Sequence, residues 1–420
     1  MLKQIKGFFY ELDSISRFRI IYLLIFCFLI LFSYGIFRPG IESLFLKAHT
    51  SKALPNVWIM MSITMIICVA VYNVFLPKVR LIQVYGIISA LSGVLFAIMI
   101  ILEKYDFPGI YYILYIWKDI YIIFLVEIFY TFANSVFQIK KARWLYGFFG
   151  ASGALGAVIA NFSIGPVAKL LGTSATLWIG ILSLFLMGVL AIPLAKKADA
   201  KIPEDFKKKK ANIFEALSIV KKSYYLIFVL LLITTVQLVV TLIDYDFNTI
   251  VEALYPVTDI RTGLMGKVYG IVNTLTFVFH AFTGIILRLT GIPFILFAVP
   301  FFLMSSLAFF IVLPGFFTVA IIKIASKVFD YTIFRSAREC LYIPLSYEER
   351  TQGKSIVDII MYRVGKVGAA ILVKILILLG LTQFVSWMTA LFILFWIVIT
   401  FVIVKRFRKL VSRDEEMYHK

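Results

Sequence analysis

The chain is poor in the residues from which most reactive centres are built. Its 420 residues include three cysteines and three histidines. Cys27, Cys68 and Cys340 all fall in apolar runs, and His49, His280 and His419 lie far apart. No CxxC, HExxH or phosphate-loop pattern occurs. A disulfide framework, a metal centre and a resident cofactor are therefore not expected, and the chain reads as something other than an enzyme. Charge is scarce as well. Charged residues make up 15%, against about 25% in soluble globular chains. With 62% hydrophobic residues, the composition excludes a water-soluble domain, and it equally excludes disorder, which needs low hydrophobicity.

What the sequence does have is long apolar runs. They fall at 19–37, 56–76, 82–102, 111–137, 145–166 and 175–195, then at 224–254, 266–287, 292–313, 316–345, 356–381 and 383–404. A bilayer-crossing helix needs about 20 such residues, so the pattern predicts an all-α membrane protein of twelve transmembrane helices. The only long polar stretch, 196–223, holds nine lysines and divides the runs six and six. The expected organisation is an N-terminal half over 1–195, a basic linker over 196–223 and a C-terminal half over 224–420.

The net charge of +19 first suggests a nucleic-acid partner. Mapped along the chain, it reads differently. With both termini placed in the cytoplasm, 27 of the 42 basic residues fall in cytoplasmic segments, six in external ones and nine within apolar runs. This bias sets orientation in a multi-pass inner-membrane protein, so no nucleic-acid partner is expected. The linker reads first as a topology determinant and tether, with anionic lipid headgroups as an alternative ligand. Glu11 and Asp13 precede a first run longer than a signal core, so the N-terminus is not expected to be a cleavable signal.

Small residues recur every three or four positions in the fifth run: Gly147, Gly150, Gly153, Ala154, Gly156, Ala157 and Ala160. The eleventh run has Gly365, Gly368, Ala369 and Ala370. Such faces let helix backbones approach closely in lipid. Their matching places suggest a duplicated six-helix unit, as in transporters built from repeats. The faces serve simple packing, a sliding contact, or both.

Charges inside the runs are the most informative feature, since each costs roughly 2.5–3.5 kcal/mol at the bilayer centre on insertion scales. Arg38 and Glu42 lie four apart in the first run. The fourth run carries Lys118, Asp119 and Glu127, and the seventh carries Asp244, Asn248 and Glu252 at four-residue spacing on one face. The tenth has Lys323, Lys327, Asp330, Arg335, Arg338 and Glu339, and the eleventh Arg363, Lys366 and Lys374. First and fourth, seventh and tenth are equivalent places under the duplication, so these helices are expected to line a central polar cavity. The candidate substrate-binding residues are Arg38, Glu42, Lys118, Glu127, Asp244, Asn248, Arg335, Arg338, Glu339 and Lys366. The bland alternative is internal salt bridges plus end residues that snorkel to the interface, which suits Lys323, Lys374 and Asp246 best. Arginine in such a pocket favours an anionic substrate, because guanidinium pairs bidentately with phosphate or carboxylate.

Two six-helix halves joined by a basic linker resemble the major facilitator architecture. Several stretches go further and resemble the bacterial and plastid ATP/ADP translocase (nucleotide transport protein) family. The most specific is Phe334 to Leu345, followed by Gln352 to Asp358 and by Gly365-Lys366-Val367-Gly368. Tyr34 to Leu44, Glu127, Phe149-Gly150, Thr241 to Pro256 and Leu264-Met265-Gly266 are further matches. The resemblance implies nucleotide transport, with Arg38, Glu42, Glu127, Asp244 and Arg338 at charged positions of the family. This chain departs from the pattern: Ile41 and Asn248 replace two of the family's lysines, Asp244 replaces a glutamate, and Arg338 replaces a lysine. The expected function is a secondary active transporter of a small anionic metabolite by alternating access, by default a nucleotide such as ATP or ADP. The missing lysines motivate another substrate on the same fold, an organic anion or a lipid-linked precursor, with or without proton coupling. A non-transporting membrane scaffold or receptor is the rival from another class, and it predicts charges paired off in a closed bundle.

Overall fold

The computed structural model describes residues 13–75, 80–137, 139–198, 213–346, 348–349, 354 and 362–418. Among these no strand occurs. The helices are α1 (Ser14–His49), α2 (Leu54–Phe75), α3 (Leu81–Glu103), α4 (Ile110–Val136), α5 (Ile139–Leu171), α6 (Thr173–Ala198) and α7 (Ile213–Lys222). They continue as α8 (Tyr224–Leu254), α9 (Thr258–Thr290), α10 (Ile292–Val312), α11 (Phe316–Tyr331), α12 (Ile333–Cys340), α13 (Tyr362–Leu378) and α14 (Val385–Tyr418). An all-helical fold is what lipid demands, because each segment must satisfy its own backbone hydrogen bonds.

Among the described residues, nine helices are long and apolar enough to cross a membrane. α4, α11 and α13 stand outside that set. α11 has 16 residues, and these three helices carry Lys118, Asp119, Glu127, Lys323, Lys327, Asp330, Arg363, Lys366 and Lys374.

The tenth run, expected as one helix over 316–345, is broken. At Thr332 (φ −119°, ψ −103°) α11 ends and α12 begins. The Thr332 amide shares the carbonyls of Val328 and Phe329, its hydroxyl donates to Val328, and Ser336 restarts the ladder by donating to the Thr332 carbonyl. The eighth run is longer than expected. Its helix begins at Thr258 rather than 266. Of the linker, 199–212 lies outside the described residues, α6 continues through Ala198, and 213–222 forms α7. The motif Gln352 to Asp358 also lies outside them, except for Lys354.

The chain forms two compact units. The first comprises 1–48, 63–209 and 257–273, and the second 49–62, 210–256 and 274–420. α2 and α9 are therefore each divided between the two.

In the first unit α3 packs against α4 and α6, and α5 against α6. α5 meets α1 through its small face. A Cβ on Gly153 would stand 2.7 Å from Leu31, and one on Gly35 2.8 Å from Ala160. Gly156 faces the carbonyl of Phe28 directly, whereas Gly147 and Gly150 have open space. α5 also meets the first half of α9, where Gly165 and Gly263 face each other and a Cβ on Gly266 would lie 2.6 Å from the Asn161 carbonyl. In the second unit α8 packs against α11, α13 and α14, and α10 against α11 and α14. Gly365 of α13 faces the Thr234 carbonyl of α8, where a Cβ would stand at 2.5 Å. The fifth span thus packs on the first, and the eleventh on the seventh, by the same device.

Candidate functional site

In the first unit the buried charges converge on Glu42. Pro39 lies within α1 and lacks the amide that would bond Gly35. One turn further on, Glu42 is 6% exposed. Its carboxylate accepts from Arg38 Nε at 3.4 Å and from the Tyr269 hydroxyl at 2.5 Å, and Lys118 Nζ lies 3.5 Å away. Lys118 is 2% exposed. It also donates to Asp119 at 3.1 Å and rests 4.0 Å from the Tyr115 ring centroid. Tyr34 donates to the same Asp119 oxygen at 3.2 Å. The Arg38 guanidinium lies 4.0 Å from the Tyr269 ring centroid and 5.9 Å from that of Tyr34. Two cations and two carboxylates are thus tied together across α1, α4 and the first half of α9.

The seating of that half of α9 is fixed by polar contacts further along. Asp259 accepts from the Thr173 amide at 2.8 Å and its hydroxyl at 2.6 Å, so it caps the N-terminus of α6. Thr262 shares the Thr173 hydroxyl, and Ser43 donates to the Thr258 carbonyl.

In the second unit the hub is Asp244 on α8. It is ion-paired with Lys323, and with Lys327 at 3.0 Å, both on α11. Lys323 is 1% exposed and lies 5.1 Å from the Phe247 ring centroid. Asp330, one turn on, accepts from Gln237 of α8 at 3.4 Å. Asn248 is buried. Its amide donates to the Asp244 carbonyl, and its own oxygen has no partner among the described residues. Arg338 of α12 is buried, with Nε unpartnered there as well.

The remaining candidates are scattered. Glu339 pairs with Lys354 at the part-exposed end of α12. Arg335 and Glu127 are exposed and form no ion pair with a described residue. Lys366 is half-buried, its amine 3.8 Å from the Met61 sulfur. The contact reading therefore brings together Arg38, Glu42 and Lys118 in one cluster and Asp244 with Asn248 in the other. It adds Tyr34, Tyr115, Asp119 and Tyr269 to the first, and Lys323 and Lys327 to the second. The four-residue step from Lys323 to Lys327, which puts both amines on one face of α11, was the available signal for the latter pair.

In both clusters an acid of one helix is ion-paired with an amine of the helix three further along, Glu42 of α1 with Lys118 of α4 and Asp244 of α8 with Lys323 of α11. Ion pairs buried within apolar helices of an all-helical membrane chain mark it as a transporter. The fold is similar to that of the nucleoside transporter NupG (TM-score 0.65, 13% identity, 94% of this chain and 99% of that one). It is also similar to a bacterial homolog of the human lysosomal transporter Spinster (TM-score 0.63, 10% identity, 95% and 99%).

The chain belongs to the TLC ATP/ADP transporter family, whose model matches residues 56–411. Among its relatives are the ADP,ATP carrier protein 3 of Rickettsia conorii, 26% identical over 347 residues (70% of this chain, 67% of that one), and the ADP,ATP carrier protein 1 of Chlamydia pneumoniae, 23% identical over 360 residues (75% and 69%). It is a membrane transporter and not an enzyme.

Proposed function

We propose that the protein exchanges nucleotides across a bacterial inner membrane, in the manner of an ATP:ADP antiporter, with both termini in the cytoplasm. The observation that carries this reading is the matched pair of clusters, in a chain whose relatives are named ADP,ATP carriers. Each cluster holds cationic donors against a carboxylate. With no substrate bound, the carboxylates compensate the cations, which would otherwise be costly to bury. An arriving phosphate offers the same donors more acceptor oxygens, and the guanidinium of Arg38, like that of Arg338, suits planar, bidentate recognition. Glu42 and Asp244 then act as counter-ions that the substrate displaces during alternating access. Glu127 and Glu339, being outside the two hubs, tune the field or carry coupling. The excess of lysine in the loops and linker supports the orientation.

The test is counterflow. Purified protein in liposomes loaded with ADP is expected to take up labelled ATP, and Arg338→Ala is expected to lose most of it. Uptake unchanged in that variant removes the arginine role, and no uptake of any nucleotide in a panel removes the reading. One observation favours a second reading. Asn248 occupies a cation position of the family and offers only an amide, and Ile41 offers nothing. A less charged organic anion fits such a site, and it would appear as the competing ligand in the same panel.

A further inference from the structure

On the first unit, α3 and α6 pack closely through small residues, with Gly86 against Ala191 and Gly188 against Ala90. Their hydroxyl contacts turn inward: Tyr85 bonds Met187, and Ser89 bonds the Leu184 carbonyl. The outer side is left as an apolar trough of about 790 Å³ running between the two helices. Ile87 and Val189, 63% and 61% exposed, form its walls. Both helices continue outward as exposed apolar faces, Leu91 and Val94 on α3 and Leu182 and Leu186 on α6. A surface of this kind is solvated by lipid chains and not by water.

One end of the trough is different. It is closed by Arg80 and Lys196, both exposed and neither in an ion pair with a described residue. Arg80 is the N-cap of α3. Two other cations near this end are engaged elsewhere: Arg19 donates to the Ala198 carbonyl and Lys197 stacks on Phe18. Two cations at the head of an apolar channel match a phosphate ester carrying an acyl chain. Basic pockets between transmembrane helices are recognised sites for anionic headgroups.

We infer that the α3–α6 groove binds one anionic phospholipid, its phosphate on Arg80 and Lys196 and an acyl chain along Gly86 and Gly188. This site is separate from the charge clusters described above and does not depend on the nature of the transported solute.

The experiment is native mass spectrometry of the full-length protein in detergent, titrated with phosphatidylglycerol or phosphatidylcholine. One phosphatidylglycerol is expected to bind in clear preference to phosphatidylcholine. At about a five-fold loss of affinity per cation removed, Arg80→Gln with Lys196→Gln should weaken it about thirty-fold. Ile87→Trp fills the trough without touching the cations and should also abolish the adduct. Lys104→Gln, an exposed cation at the other end of α3, should leave it unchanged. Equal binding of the two lipids, or wild-type phosphatidylglycerol affinity in the double variant or in Ile87→Trp, overturns the proposal. The substituted side chains are exposed, so monodisperse elution is expected of each variant and is checked before titration.

Discussion

Glu42 is the most connected charge in the first unit, and its replacement tests whether the cluster acts as one body. Glu42→Gln keeps the shape and an oxygen for Tyr269 but removes the charge that faces Arg38 and Lys118. Breaking a buried pair from one side costs about 3–5 kcal/mol. Lys118 keeps Asp119 at 3.1 Å, so the loss belongs at the low end, about 3 kcal/mol. Lys118→Met should cost a similar amount, since Glu42 keeps Arg38 and Asp119 keeps Tyr34. Independent sites would then add to about 6 kcal/mol, whereas removing both members should cost about 4, a coupling of about 2 kcal/mol. The assay is thermal unfolding in detergent, followed by a thiol-reactive dye. With the half-buried Cys68 and Cys340 replaced by serine, Cys27, buried in α1, reports loss of that helix's packing. Additivity within about 0.5 kcal/mol would refute the claim that the two charges compensate each other.

Further outcomes follow from the same structure. Asp244→Asn should destabilise more than Lys323→Met in that assay, because one carboxylate serves both Lys323 and Lys327; the reverse order would count against Asp244 as the hub. Gly156→Leu should prevent accumulation of folded protein, since even a Cβ there collides with the Phe28 backbone. Gly147→Ala, in open space, should be neutral or stabilising by up to about 1 kcal/mol. Expression and melting of the two variants decide it. Asp259→Ala should speed hydrogen exchange over 258–273 and over the start of α6, where its carboxylate holds the Thr173 amide, and Asp259→Asn, which keeps an acceptor, should do so less. Equal exchange in both variants would remove the capping role.

The number and type of spans were legible because lipid leaves the chain few options: about 20 apolar residues, all helical. Helix ends were less so. The segment 258–265 reads as loop because it carries Asp259 and Arg261, yet Arg261 is 2% exposed and the segment is the first two turns of α9. The break at Thr332 is a single backbone conformation and has no composition signal. Within one helix, spacing was a good guide. Arg38 and Glu42 do pair, and Asn248 does bond back to Asp244. Across helices it gave only which ones are charged. Glu42 with Lys118, Asp244 with Lys323, and Tyr269 with Glu42 at a separation of 227 residues are products of packing. Glu127 illustrates the limit. It lies nine residues beyond Lys118, about two and a half turns, and so on the opposite face of α4 from the cluster.

The two halves meet the same need with different connectivity, and this has a mechanical consequence. In the first unit the acid is a glutamate whose second cation, Arg38, comes from its own helix one turn back, so among the described ion pairs it is Glu42 to Lys118 that crosses from α1 to α4. In the second the acid is an aspartate, one methylene shorter, and both of its lysines come from α11, four residues apart on one face. Two ion pairs therefore cross from α8 to α11. If a phosphate displaces Glu42 and Asp244, the first unit gives up one described ion pair between α1 and α4 and keeps the Tyr34 to Asp119 hydrogen bond, and the second gives up two between α8 and α11. The second half accordingly has more to lose in rigidity on substrate binding. Hydrogen exchange measured with and without nucleotide should change more along α8 and α11 than along α1 and α4. A larger change in the first pair would mean that the ion pairs are static struts and that the substrate acts elsewhere.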